Sequence, residues 1–401
     1  MKSHIVIIGS GFAGTWAAIA AARAATLAEG HPGLDITVVS PAPEMHIRPR
    51  LYEAALDGMA PDVSGLFEQI GVRHIAGQVD SIDTAASTIE VVRGNVARET
   101  VGFERCVLAA GSHLFRPPVP GLNEHAFDVD QLDSALRLDA HLRGLAQRDA
   151  SEPRNTVVIV GGGFTGIEGA CEMPARLRAV LGADSAVRVV LIEQSPAIGP
   201  DLGPGPRPVI ETALADCGVE TLLGTSVVSV DAGGVTTSNG TRIDAATVVW
   251  TAGARAHPLT AQISGEHDRF GRIVADDNLR APAAPSVFVT GDVACAVADD
   301  AGHLALMSCQ HALILGRVAG YNAAADLLGL PLHAYRQPKY VTCLDLGPWG
   351  AVFTEGWERN VTVQGADAKT IKRDINTKLI YPPTTREDAF AVGAPDYQLL
   401  A

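Results

Sequence analysis

Ile5-Val-Ile-Ile-Gly9-Ser-Gly11-Phe-Ala-Gly14 stands at the head of a chain of 401 residues. A β-branched run feeds a glycine turn, and an Ala-rich helical segment over residues 15–29 follows. This is the strand–turn–helix order in which three spaced glycines bind a dinucleotide. Gly9 permits the tight turn, Gly11 admits a pyrophosphate against bare backbone, and Gly14 lets helix and strand close up. The helix N-terminus then faces the phosphates. The pattern returns at Val157-Val-Ile-Val-Gly161-Gly-Gly163-Phe-Thr-Gly166. One copy is compatible with an ordinary glycine turn in an α/β protein. Two copies imply two dinucleotide sites, hence a flavin and a nicotinamide facing each other.

The strand after each fingerprint should end in an acid that reads a ribose. The second does: Val187 to Ile192 leads into Glu193, whose carboxylate accepts from ribose hydroxyls and repels a 2′-phosphate, favouring NADH over NADPH. The first ends in Ser40, with Glu44 just beyond as the alternative. The polar run His46-Ile-Arg48-Pro49-Arg50-Leu-Tyr52-Glu53 reads either as a surface loop or as one lying along the cofactor with Arg48 near phosphate oxygens. Small residues end two further strands, Ala109-Ala110-Gly111 and Thr251-Ala252-Gly253, where a cofactor comes close. Ser286-Val-Phe-Val-Thr-Gly291-Asp292 delivers an aspartate to the start of a helix expected over 304–328. Asp292 is either a cap or a ligand for ribityl hydroxyls. Pro174 is expected to kink the second fingerprint helix.

Composition narrows the class. Hydrophobic residues make up 47%, aromatics 5%, and the formal charge is −14. An acidic surface argues against nucleic acid as a partner. The six cysteines form no C-x-x-C pair, which points to a reducing compartment and to no metal centre. The start runs straight into a strand, so a cytoplasmic location is expected, with peripheral membrane contact left open. Tyr381 to Ala401 carries Pro382, Pro383 and Pro395, which argue against a long amphipathic anchor helix.

Together these stretches resemble the two-dinucleotide-binding flavoprotein oxidoreductases, and most closely the type II NADH:quinone dehydrogenases, over roughly residues 1–380. The resemblance implies an α/β chain with two Rossmann-like dinucleotide-binding domains, the FAD domain (1–120 and 245–330) split around an inserted NAD(P)H domain (121–244), and a small C-terminal α/β domain (331–401). It implies FAD and NADH as cofactors. It assigns Gly9, Gly11, Gly14, Gly291 and Asp292 to FAD and Gly161, Gly163 and Gly166 to NADH. It places Glu168 near the nicotinamide–flavin contact, with Glu172 a turn later. Gln310 matches the first glutamine of the motif where quinone reaches the flavin, whereas Ile314 stands where the second is usual. Glu168 and Gln310 are therefore the candidate catalytic residues.

His303 and His311 are candidates for proton delivery or structural histidines. The acceptor is expected to be a small quinone or dye-like molecule. A soluble ferredoxin-type carrier docking on Lys369, Lys372 and Lys378 is the alternative, a Cys309-dependent disulfide or peroxide reductase a weaker one, and a flavin redox sensor a third. A homodimer is compatible with all of these.

Overall fold

Strand Ser3–Ile8 lies inside a six-stranded sheet. Leu34–Ser40 and Arg73–Ala76 pair on one side of it; Arg105–Leu108, Ala284–Val289 and Arg280–Ala281 follow on the other. All pairings are parallel except the last, at the Arg280 edge. Ile5, Val6 and Ile7 are wholly buried, as strands covered on both faces require. The computed structural model describes residues 3–28, 33–94 and 97–398. Strands from 3–108 and from 280–289 thus share one sheet, so this unit is split in sequence.

The intervening residues build a four-stranded parallel sheet ordered Val219–Leu223, Arg188–Glu193, Thr156–Val160 and Thr247–Trp250. This sheet runs past residue 244, where the sequence reading ended the inserted unit. Thr247–Trp250 pairs in register with Val157–Val160 and is buried along its length. The chain returns to the first unit only after Trp250, through an antiparallel ribbon of Ala254–Ala256 on Ser112–Leu114. Each unit also carries a three-stranded antiparallel meander.

The first fingerprint helix spans Phe12–Ala25, starting three residues earlier than expected because Gly11 is its extended N-cap. It is packed with alanine: Ala17, Ala18, Ala21 and Ala24 have no exposed surface. Against it lies helix Cys309–Leu328. A Cβ on Gly316 would sit 2.5 Å from the Ala13 carbonyl oxygen, and one on Gly320 2.1 Å from that of Ala17. The small residues of both helices therefore set a close axis-to-axis approach. This second helix starts at Cys309 and not at 304, because the Ser308 side chain accepts from the His311 N–H and caps it there.

The second fingerprint helix, Phe164–Leu181, runs unbroken through Pro174. The proline removes one N–H, and burial of Cys171, Met173, Pro174 and Leu177 holds the turns on either side. The C-terminal unit folds as an antiparallel sheet of Val341–Asp345, Ala351–Glu355 and Asn360–Gly365, followed by helix Ala366–Asp374. Helix Arg386–Val392 is short. Among the described residues no helix is long and apolar enough to cross a membrane.

Candidate flavin and nicotinamide site

Both glycine turns have the geometry a pyrophosphate needs. Gly9 and Gly161 hold φ of +106° and +111°, a region costly for other residues. A Cβ on Gly14 would lie 1.8 Å from the Gly9 carbonyl oxygen, and one on Gly166 1.8 Å from that of Gly161. Nothing stands within 4 Å of where a Cβ would project from Gly11 or Gly163. Those two residues N-cap their helices, neither with a capping side chain, and neither helix has an acid in its first turn. Two helix N-termini with free amides and no competing negative charge fit two pyrophosphates.

Gly291 bends at φ +67° with its Cα against Ala13 of the first fingerprint helix. This carries Asp292 to that helix's N-terminal end. The Asp292 carboxylate accepts from Ser112 Oγ at 2.6 Å and lies 3.6 Å from Arg48 Nη1. Arg48 also donates to Ser112 Oγ at 3.2 Å, to Asp130 Oδ1 at 2.5 Å and to the Asp130 carbonyl at 3.0 Å. Arg48 thus ties together the loop after the second strand, the Ala110-Gly111 strand end and the Asp292 turn. Gly111 and Gly253 both hold positive φ, and their strand ends adjoin through the ribbon that joins the two units.

The two ribose positions differ. Glu193 is buried, and its carboxylate accepts from the N–H groups of Gly162 and Ser195, each at 2.7 Å. It therefore clamps the glycine turn and keeps a lone pair on each oxygen for hydroxyl donors. Ser40 spends its hydroxyl hydrogen on the Ala42 carbonyl at 2.6 Å and contacts His74 Nε2 at 2.9 Å. Glu44, whose carboxylate is 42% exposed, faces His46 at 3.3 Å. Its carbonyl accepts from Ser10 Oγ at 2.7 Å, holding the Glu44 loop over the first glycine turn.

Glu168 lies where the two nucleotide units meet the C-terminal unit. It is buried, accepts from Lys372 Nζ at 2.8 Å, and accepts from the Asp345 N–H at 3.0 Å. Burial pushes its carboxyl up to about 7, against the pull of the Lys372 ammonium. Lys372 also donates to the Cys343 carbonyl at 3.0 Å; burial pulls its ammonium down, but the charge and hydrogen bond of Glu168 together with Cys343 and Asp345 hold it above the ordinary lysine range. Lys369 repeats the arrangement one turn away, at 2.5 Å from Asp345 and 3.5 Å from Glu172. Tyr52 donates to Asp345 at 3.1 Å.

These contacts take two of the three lysines out of the expected docking patch. Lys369 and Lys372 point inward onto carboxylates, and Lys378 is paired with Asp374 at 2.7 Å. Sequence reasoning missed Lys372, Asp345 and Ser112 as partners of the site. The only signal was helix Ala366–Asp374, whose lysines were read as surface charge because no partner for them is near in sequence.

Gln310 opens the helix Cys309–Leu328, and its Oε1 is buried with no partner among the described residues. It lines a cavity of about 410 Å³ with Ile314, Gln337, Pro338, Pro395 and Tyr397. His311 is wholly buried, contacts Ser308 Oγ at 2.9 Å through Nδ1, and is pushed down to about 3 by burial. It is neutral at physiological pH and poorly suited to carry protons. His303 pairs with Asp299 at 2.7 Å and stacks on Trp357. Burial raises the Cys309 thiol to about 11, and all six cysteines are free thiols. A protonated Cys309 is a poor nucleophile.

Two dinucleotide cradles, a split first unit and a C-terminal antiparallel sheet define a flavin- and nicotinamide-dependent oxidoreductase. The chain belongs to the pyridine nucleotide-disulphide oxidoreductase family, whose sequence model matches residues 3–315. It is 49% identical over 401 residues to an NADH dehydrogenase-like protein of Mycobacterium tuberculosis, covering 99% of both chains. It is 30% identical over 320 residues to a type II NADH:quinone oxidoreductase of the same organism, covering 73% of this chain and 66% of that one. The fold matches the NADH complex of an NDH2 from Plasmodium falciparum with a TM-score of 0.78, covering 98% and 97% of the two chains at 12% identity. The protein is an FAD-dependent NADH oxidoreductase related to the type II NADH:quinone dehydrogenases.

Proposed function

We propose that this enzyme takes hydride equivalents from NADH and passes electrons to a small quinone held in the Gln310–Ile314 cavity. The observation that carries this reading is the buried amide oxygen of Gln310, unpaired among the described residues, beside Ile314 and Pro338 on the cavity wall. A side-chain amide donates to a quinone carbonyl and accepts from the hydroxyl of the product quinol. Bound FAD supplies the two-electron chemistry that links donor and acceptor. The chain supplies the rest: Gly9–Gly14 and Asp292 hold FAD, Gly161–Gly166 and Glu193 hold NADH, and Glu168 with Lys372 buttresses the nicotinamide helix from beneath.

We assign residues 1–120 with the segment after Trp250 to FAD, and the segment between to NADH. At the first ribose Glu44 is the better candidate than Ser40, because its carboxylate is exposed and Ser40 has given its hydrogen away. The spending of Lys369 and Lys372 on internal carboxylates disfavours an acidic protein carrier.

Rapid mixing tests the acceptor. Holoenzyme bleached with NADH is mixed with a water-soluble quinone, or with a ferredoxin-type protein. Flavin absorbance should return fast with the quinone and slowly with the protein. Fast return with the protein and none with the quinone would replace this reading by an electron-carrier reductase.

A further inference from the structure

Helix Cys309–Leu328 presents Gln310, Ile314 and Arg317 at i, i+4 and i+7, which places them on one face. Gln310 and Ile314 line the cavity; Arg317 lies beyond it. Arg317 has no exposed surface, and none of its three guanidinium nitrogens has a hydrogen-bond partner among the described residues. Its Cζ is 4.2 Å from the Trp16 ring centroid and 5.1 Å from that of Tyr397. Burial lowers it only to about 10, so it stays cationic at neutral pH. Stacking between two rings satisfies the faces of a guanidinium. Its N–H groups have no hydrogen-bond partner among the described residues, and a buried charge without hydrogen bonds is costly.

Tyr397 lines the cavity and also covers Arg317, so its ring is the partition between them. That ring belongs to a residue 36% exposed, in a segment without helix or strand, so little burial is lost if it turns outward. On the cavity wall Gln337 Nε2 is likewise buried and unpartnered. The other charged lining residues are Arg336, Lys339 and Asp396, and Arg336 is paired with Asp277 at 3.5 Å and with Asp300 at 3.9 Å. Gln310 Oε1 and Gln337 Nε2 on the cavity wall have no partner among the described residues, and the Arg317 guanidinium lies behind the Tyr397 ring.

We propose that Arg317 is the anion-binding end of this cavity and that the acceptor is an aromatic quinone bearing a carboxylate. The quinone ring seats against Gln310, Ile314 and Gln337, and with the Tyr397 ring turned outward its carboxylate reaches the N–H edge of the Arg317 guanidinium. Planar bidentate pairing with carboxylate is what a guanidinium does best. The carboxylate is a handle and does not react: NADH, a proton and the quinone give NAD⁺ and the quinol, with the acid group unchanged. This proposal rests on the quinone reading above and names the class of quinone.

The test compares 2-carboxy-1,4-naphthoquinone with its methyl ester as acceptors for the holoenzyme under saturating NADH. The unmodified protein should favour the acid at least tenfold in kcat/KM, mainly through KM. Arg317→Met should bring that ratio close to one, Arg317→Lys should restore part of it, and Tyr397→Ala should lower KM for the acid. Bleaching of the flavin by NADH reports that each variant is folded and loaded. Calorimetry with redox-inert 1-naphthoate adds an arm that needs no turnover. Equal use of acid and ester by the unmodified protein, together with naphthoate binding unaffected by Arg317→Met, would overturn the anion site. Naphthoate binding that Arg317→Met abolishes, in a protein that reduces neither quinone, would uphold the site and sink the quinone reading alone.

Discussion

Lys372, read from sequence as a surface charge, is held in a buried pair with Glu168. Its ammonium lies 2.8 Å from the Glu168 carboxylate, with both groups buried. Removing one partner of such a pair strands the other charge and costs about 3–5 kcal/mol. Lys372→Met should therefore lower stability by that order in urea unfolding, and adding Glu168→Gln should recover a large part of the loss. The pH dependence has a definite sign. The folded-state carboxyl is raised from 4.5 to about 7, so the native protein holds a proton that the unfolded chain releases earlier. That contribution to stability is fully present below about 4.5 and is lost as pH rises through about 7. The melting temperature of Glu168→Gln should vary less with pH over this interval than that of the unmodified protein.

Two other residues give cleaner tests. Glu193 offers ribose hydroxyls a free lone pair on each oxygen, so kcat/KM for NADH should exceed that for NADPH by more than about tenfold, roughly 1.4 kcal/mol. Glu193→Ala should shrink the ratio; equal use of both by the unmodified protein would exclude this role. His311, pushed down to about 3 by burial, should remain neutral, and its ring ¹⁵N resonances should not move between pH 8 and pH 5. Titration near 6 would reinstate it as a proton carrier.

At the scale of elements, the pairing of the first fingerprint helix with Cys309–Leu328 positions both ends of the proposed redox path. One helix presents its N-terminus at the first glycine turn, and the other carries Gln310 to the wall of the cavity where we propose that the acceptor binds. Their spacing depends on Gly316 and Gly320. Gly320→Ala would push a methyl to 2.1 Å from a main-chain oxygen, and backbone cannot step aside as a side chain can. Overpacking of this kind costs about 1–3 kcal/mol. The variant should melt several degrees lower and release FAD more readily, which flavin fluorescence in the filtrate would register. A normal melting point with full FAD retention would show that the helices tolerate wider spacing.

At the scale of the whole molecule, what the sequence disclosed was whatever is written locally. The glycine fingerprints, Glu193 and Gly291-Asp292 each lie within one strand–turn–helix unit, where spacing alone encodes geometry. The partners of Glu168 lie 177 and 204 residues away, and no local pattern announces that Lys372 will be buried. Arg317 was silent for the same reason: an arginine in a helix looks solvent-facing until Trp16 and Tyr397 close on it. The boundary near 244 moved because a strand's allegiance is fixed by its pairing partner, here Thr156–Val160.

The bond between Glu168 and Lys372 also bears on modularity. Helix Phe164–Leu181 and helix Ala366–Asp374 belong to different units, yet a buried charge on each pairs with one on the other. The C-terminal unit therefore cannot be exchanged between relatives as a cassette. A chimera that imports a foreign segment 331–398 lacking a lysine at this position should accumulate as insoluble protein. Transplanting the matching nicotinamide helix along with it should return the chimera to solution, making the pair a compatibility lock for recombination.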